Sequence, residues 1–203
     1  MQNQPIKIRI FLGLKINAQM KNIALVWLLF LSATITAQDF NIEEQLYNLP
    51  DVIFKKINTP LGYEAAYELR IKQQIDHQNP EKGYFYQRAY LSHRGFNRPT
   101  TMVTQGYTSI SNRISEVAEL IKSNQIDVEH RFFGESIPDS IEYQYLTLEQ
   151  ASADLHHINE IFRKIYPNKW VSTGISKGGQ TSIFYRYFYP EDVDVSIPYV
   201  APL

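Results

Sequence analysis

Ser176 stands between two glycines in Gly174-Ile175-Ser176-Lys177-Gly178. A serine hydroxyl is a weak nucleophile. It attacks an acyl carbon only when a base takes its proton and N–H donors receive the oxyanion. In this spacing the glycines permit a sharp turn that lifts the hydroxyl clear of its surroundings, with Gly174 and Gly178 as its elbow. The alternative is a small residue in a tight turn. The first backbone N–H beyond the serine, that of Lys177, is expected to serve the oxyanion. The Lys177 side chain is expected to be solvated or paired rather than catalytic. A second donor fits the loop Gly106-Tyr107, where glycine allows close backbone approach and Tyr107 offers an N–H or a pocket wall; an ordinary strand-ending glycine is the other reading. Glu129 and Arg131, set beside two phenylalanines, suggest a buried ion pair shaping a substrate-binding pocket, or else a structural salt bridge with no substrate contact.

These groups need elements to hold them. The segments 52–57, 62–73 and 83–94 are rich in aromatic and branched residues and separated by Pro and Gly turns, so they read as an antiparallel meander. Another strand spans 100–107. Ile110, Ile114, Val117, Leu120 and Ile121 then recur at helical spacing and predict an amphipathic helix over about 109–123. Residues 125–133 return to strand. Thr147 followed by Gln150 forms a capping box, opening a helix whose apolar face is Ala151, Leu155, Ile158, Phe162 and Ile165, with Pro167 closing it. "KWVSTG" is a strand, a helix runs from Ser176 to Pro190, and 193–200 is a last strand. Antiparallel strands followed by strand–helix alternation predict an α/β fold with a largely parallel central sheet. Ser176 falls at a strand-to-helix switch, at the carboxyl edge where such sheets bind ligands.

The base is the difficulty. In the α/β-hydrolase arrangement an acid and then a histidine follow the serine in chain order. Residues 177–203 contain no histidine; His77, His93, His130, His156 and His157 all precede Ser176. Asp192 and Asp194 flank the start of the next strand, too early for the usual acid. The expectation is a fragment, the amino-terminal half of a hydrolase. His156 and His157 are adjacent on a helix and point apart, unlike the i, i+4 pair a helical metal site uses, so no metal is expected.

Composition narrows the classes. With no cysteine, a disulfide scaffold, a thiolate metal site, a cysteine nucleophile and a lipidated cysteine are excluded. A net charge of −1 gives no support for nucleic acid as a partner. Met20 and Lys21 precede an apolar run from Ile23 to Leu31 and a small-residue exit, the layout of a secretory signal. Cleavage is expected after Ala37, giving a secreted or periplasmic protein with no stable membrane insertion. Residues 1–19 read as an over-extended start, 20–37 as the signal and 38–203 as the amino-terminal part of the hydrolase-type domain. No cofactor is implied.

"HRGFNRPTTMVTQGY", "EHRFFGESIP", "YLTLEQASADLHHI" and "IYPNKWVSTGISKGGQTSIFYRYFYPEDVDVSIPYVAP" together resemble the secreted bacterial prolyl tri- and tetrapeptidyl aminopeptidases. These are serine peptidases of α/β-hydrolase type, more distantly related to the lysosomal Pro-Xaa carboxypeptidases. The resemblance implies an α/β-hydrolase fold with Ser176 as nucleophile, peptides as substrates and an acyl-enzyme route, with cleavage a few residues from a free N-terminus near proline. A secreted esterase or lipase would share the elbow, but its H-G-G-G motif is absent. A non-catalytic binding protein on a hydrolase scaffold is the other alternative.

Overall fold

The computed structural model describes residues 41–202. The expected signal, 20–37, and residues 1–19 lie outside that range. The elements are α1 (Ile42–Tyr47), β1 (Val52–Lys56), β2 (Ala65–Gln74), β3 (Tyr84–His93), β4 (Thr100–Thr104), α2 (Glu116–Leu120), β5 (Asn124–Val128), α3 (Leu148–Phe162), β6 (Trp170–Ile175), α4 (Lys177–Phe188) and β7 (Val195–Tyr199). One seven-stranded sheet runs in the order β1-β2-β3-β5-β4-β6-β7. β1, β2 and β3 pair antiparallel, as the meander reading expects, and β3 pairs antiparallel with β5. β5, β4, β6 and β7 are mutually parallel.

Burial follows from these positions. Along β2, Tyr67, Leu69, Ile71 and Gln73 face inward in strict alternation. Every residue of β4 and β5 is buried, as expected for parallel strands at a sheet centre. Helix α3 lays Ala151, Leu155, Ile158 and Phe162 against this sheet, the face anticipated from the sequence, and Ile165 just beyond it is also buried. The Thr147 hydroxyl accepts from the Gln150 N–H at 3.2 Å, one half of the capping box. The other half is replaced: the Gln150 side chain donates to Asp76 and accepts from the His77 N–H instead. Among the described residues no helix is long and apolar enough to cross a membrane.

Two expectations need correction. The helix over 109–123 is confined to α2, Glu116–Leu120, which the Ser115 hydroxyl caps at the Ala118 N–H. Backbone groups upstream are taken by distant side chains: Ser115 N–H and Arg113 C=O by Gln125, and Ser109 N–H by Glu129. With those partners the segment has no use for an i−4 ladder. Two of its apolar residues point to solvent, Ile110 at 75% and Leu120 at 80% exposed. The strand expected to Phe133 ends at Val128. There the chain turns away: His130 N–H bonds Tyr107 C=O, and Phe132 adopts φ +65°.

Candidate active site

Strand β6 ends at Ile175 and α4 begins at Lys177, so Ser176 is the whole turn between them. Its backbone sits at φ 54°, ψ −122°, a conformation that costs a non-glycine residue about 1–3 kcal/mol. The surroundings hold it there. Its N–H donates to Tyr199 C=O of β7 at 2.9 Å, and its C=O accepts from Gln180 N–H of α4 at 3.0 Å. The side chain is exposed, and among the described residues the hydroxyl has no hydrogen-bond partner.

The glycines are required by space. A Cβ on Gly174 would overlap the Gly178 carbonyl and stand 2.6 Å from Thr104 O; one on Gly178 would overlap Thr104 O. Helix α4 thus starts in van der Waals contact with β4 and β6, and the Thr104 hydroxyl fastens the contact by donating to Gly178 O at 2.7 Å. Gly179, which the elbow pattern does not include, has the same role toward β7: its Cβ would lie 2.8 Å from Tyr199 O. The first N–H groups of a helix lack intrahelical acceptors and carry partial positive charge. In α4 those groups begin at Lys177, directly after the serine.

The loop after β4 is packed against that first turn. A Cβ on Gly106 would lie 2.6 Å from Lys177 Cβ and 2.8 Å from Gly178 N, so only glycine lets the loop approach this closely. Lys177 Nζ donates to Gly106 O at 2.8 Å and lies over two rings, Tyr107 at 4.7 Å and Phe133 at 4.8 Å. The lysine side chain is therefore paired, and burial holds its pKa below the ordinary value. Tyr107 is 57% exposed and packs edge-on against Phe133.

Glu129 and Arg131 are not an ion pair with each other. Both are fully buried, and each has another partner. Glu129 accepts from Arg88 Nη2 at 2.5 Å, from the N–H groups of Ser109 and Glu135, and from the Ser136 hydroxyl. Arg131 makes a two-pronged contact with Asp154 at 2.8 Å on each arm and donates to the carbonyls of Gln74, Ile75 and Tyr145. Such saturation leaves neither residue a group for a ligand. They tie the loops at the carboxyl edge to the sheet and to α3. The separation arises because the chain leaves β5 at Val128 and reverses at Phe132 and Gly134. At Gly134 (φ +55°) any Cβ would collide with the Glu129 carboxylate.

Residues absent from the sequence-based site complete this frame. Asp127 accepts from Gln105 Nε2 at 2.8 Å and from the Ser109 hydroxyl at 3.3 Å, so it brackets the Gly106-Tyr107 loop. Burial raises the Asp127 pKa to about 7; the two hydrogen bonds pull it down, and the Glu129 charge adds to the rise. Asp154 could have been suspected as a carboxylate on the apolar face of α3, and Arg131 as a cation in an aromatic run. Nothing local marks Arg88 or Asp127.

Among the described residues no histidine or carboxylate bonds Ser176, and all five histidines are engaged elsewhere. His77 meets Asp154, His93 the Tyr166 hydroxyl, His130 the Arg131 carbonyl, His156 Asp192, and His157 Gln73. Burial drives His130 down to about 4. Asp194 is spent at the amino edge of the sheet, on the Trp170 N–H and Lys169. His156 and His157 do point apart, one toward Asp192 and the other toward Gln73.

Comparison with known proteins agrees with this frame. The family model described as PS-10 peptidase S37 matches residues 36–203. A prolyl tri/tetrapeptidyl aminopeptidase of Streptomyces mobaraensis is 36% identical over 172 residues, 84% of this chain and 36% of its own length. A lysosomal Pro-X carboxypeptidase of Mus musculus is 32% identical over 99 residues, 43% of this chain and 20% of its own. The chain thus spans about a third or less of the length of these relatives. Acetyl xylan esterase 1 from Thermoanaerobacterium sp. JW/SL YS485 superposes with a TM-score of 0.53 at 12% identity, covering 77% of this chain and 56% of that one. That likeness concerns the fold alone, and the fold is of the α/β-hydrolase type.

Proposed function

The chain belongs to the PS-10 peptidase S37 family, and on that footing we propose that it carries the nucleophile half of a serine peptidase acting through an acyl-enzyme. The observation that carries the reading is Ser176: exposed, its hydroxyl unpartnered among the described residues, and held at a left-handed φ at the start of α4. In the proposed reaction the Ser176 Oγ–C bond forms as the hydroxyl proton passes to a base. Negative charge moves to the carbonyl oxygen, which the N–H groups of Lys177 and of the Gly106-Tyr107 loop receive. The C–N bond then breaks and its nitrogen takes the proton; water next attacks the acyl carbon, giving its proton to the base, and the Ser176 Oγ–C bond breaks as Oγ takes that proton back.

The base and its acid are assigned to polypeptide outside these 203 residues. The chain spans 36% of the length of the Streptomyces relative, and its five histidines are committed to other partners. The substrate class is assigned as peptides with a free N-terminus, released as short fragments near proline. Its support is the aminopeptidase activity for which the Streptomyces relative is named, together with 36% identity. Export through residues 20–37 with cleavage after Ala37 is part of the same reading, resting on the charge and apolar pattern.

The test uses the native protein with peptides carrying proline at the third or fourth position, with free or acetylated N-termini. Release of tri- or tetrapeptides from the free form, little from the acetylated form, and none by Ser176→Ala is expected. Turnover of short acyl esters without any peptide cleavage would overturn the reading in favour of an esterase.

A further inference from the structure

We propose that the Lys177 side chain is a positioning residue: by holding Gly106 O it aims the next N–H, that of Tyr107, at the space above Ser176. The inference rests on the reading of Ser176 as nucleophile. In a trans peptide unit the C=O and the following N–H point in opposite directions. A donor fixed on Gly106 O therefore fixes the direction of the Tyr107 N–H.

Three features make the hold tight. Nζ sits 2.8 Å from Gly106 O. Gly106 has no side chain because Lys177 Cβ occupies that space. On the far side, Tyr107 C=O is pinned by the His130 N–H at 3.1 Å. The Tyr107 N–H itself meets no acceptor among the described residues.

The chemistry around the ammonium fits this role better than a surface charge. No carboxylate pairs with Nζ among the described residues; the rings of Tyr107 and Phe133 stand in its place. Those rings favour the cation, and the Nζ–O contact they flank is partly buried. Because Lys177 lies immediately after Ser176 on α4, one residue sets both donors. Its own N–H follows the helix axis, and its side chain carries the second donor from β4 into register. Positioning errors near 1 Å cost catalysis about a hundredfold, which sets the scale of the effect.

The experiment compares Lys177→Met, Lys177→Gln and Lys177→Arg in the native protein, with Ser176→Ala as control. Readouts are the rate of phosphonylation by a serine-directed fluorophosphonate, kcat and KM on a peptide substrate, and the melting temperature. Met keeps the apolar stem between the rings and loses the donor. It should slow phosphonylation and kcat by about tenfold to a hundredfold, with KM and melting temperature nearly unchanged. Gln and Arg, which keep a donor, should recover part of the rate. If Lys177→Met folds poorly, the Gln and Arg variants carry the test: rates ordered by melting temperature alone overturn the proposal. Wild-type kcat in Lys177→Met, while Ser176→Ala is dead, overturns the positioning role and leaves the nucleophile standing. Labelling of Ser176→Ala at the wild-type rate overturns both.

Discussion

Replacing Glu129 by Gln separates a frame residue from a substrate-binding one. The carboxylate is fully buried and accepts four hydrogen bonds, two on each oxygen: Arg88 Nη2 and Ser109 N–H on one, Glu135 N–H and the Ser136 hydroxyl on the other. A glutamine keeps the shape but turns one oxygen into an NH2 group that faces donors. Whichever way it is flipped, at least one backbone N–H loses its acceptor, and Arg88, itself only 12% exposed, loses its counter-charge. Breaking a buried ion pair from one side costs about 3–5 kcal/mol, and an orphaned buried donor about 1–3 kcal/mol of that kind. We expect a loss of about 3–5 kcal/mol in urea unfolding. With Arg88→Met already present, the same Glu129→Gln change should cost at least about 1 kcal/mol less, because no cation is then stranded. A cost below about 1 kcal/mol with peptide turnover abolished would refute the argument, since that is the signature of a residue whose partner is substrate.

Gly178→Ala places a methyl group on the Thr104 carbonyl, a backbone atom that cannot step aside; labelling of Ser176 by a fluorophosphonate should fall at least about a hundredfold, and wild-type labelling would show that the close packing of α4 on β4 is not needed. Asp127 has a pKa of about 7 in the fold, against about 4 in an unfolded chain. Between those values the folded form keeps a proton that the unfolded form has released, so the group's contribution is present below pH 4 and is lost as pH rises through 7. Asp127→Asn should therefore remove roughly 4 kcal/mol of the fall in stability between pH 4 and pH 8. Urea midpoints at both pH values check it, and an unchanged difference would contradict it.

What could be read from the sequence was local. The strand, the elbow glycines Gly174 and Gly178 and the following helix are contiguous in sequence, although the clashes those two glycines avoid involve β4 as well as α4. Helix α3 was legible because its cap and its apolar stripe agree. The region 109–123 misled for the opposite reason. Its apolar spacing is helical, yet its backbone is captured by Gln125 and Glu129 from outside the segment. Glu129 and Arg131 read as a pair because two opposite charges stand close together beside two phenylalanines. Their true partners, Arg88 and Asp154, lie 41 and 23 residues away in sequence, a distance over which spacing carries no signal. Gln105 and Asp127 escaped notice likewise, since only the parallel pairing of β4 with β5 brings them together.

The central claim is that Ser176 is the nucleophile. We would treat the native protein with a serine-directed fluorophosphonate, digest it and locate the adduct by mass spectrometry. The account predicts a single modified serine, Ser176, and no adduct in Ser176→Ala. An adduct on another serine, or labelling that persists in Ser176→Ala, would contradict it.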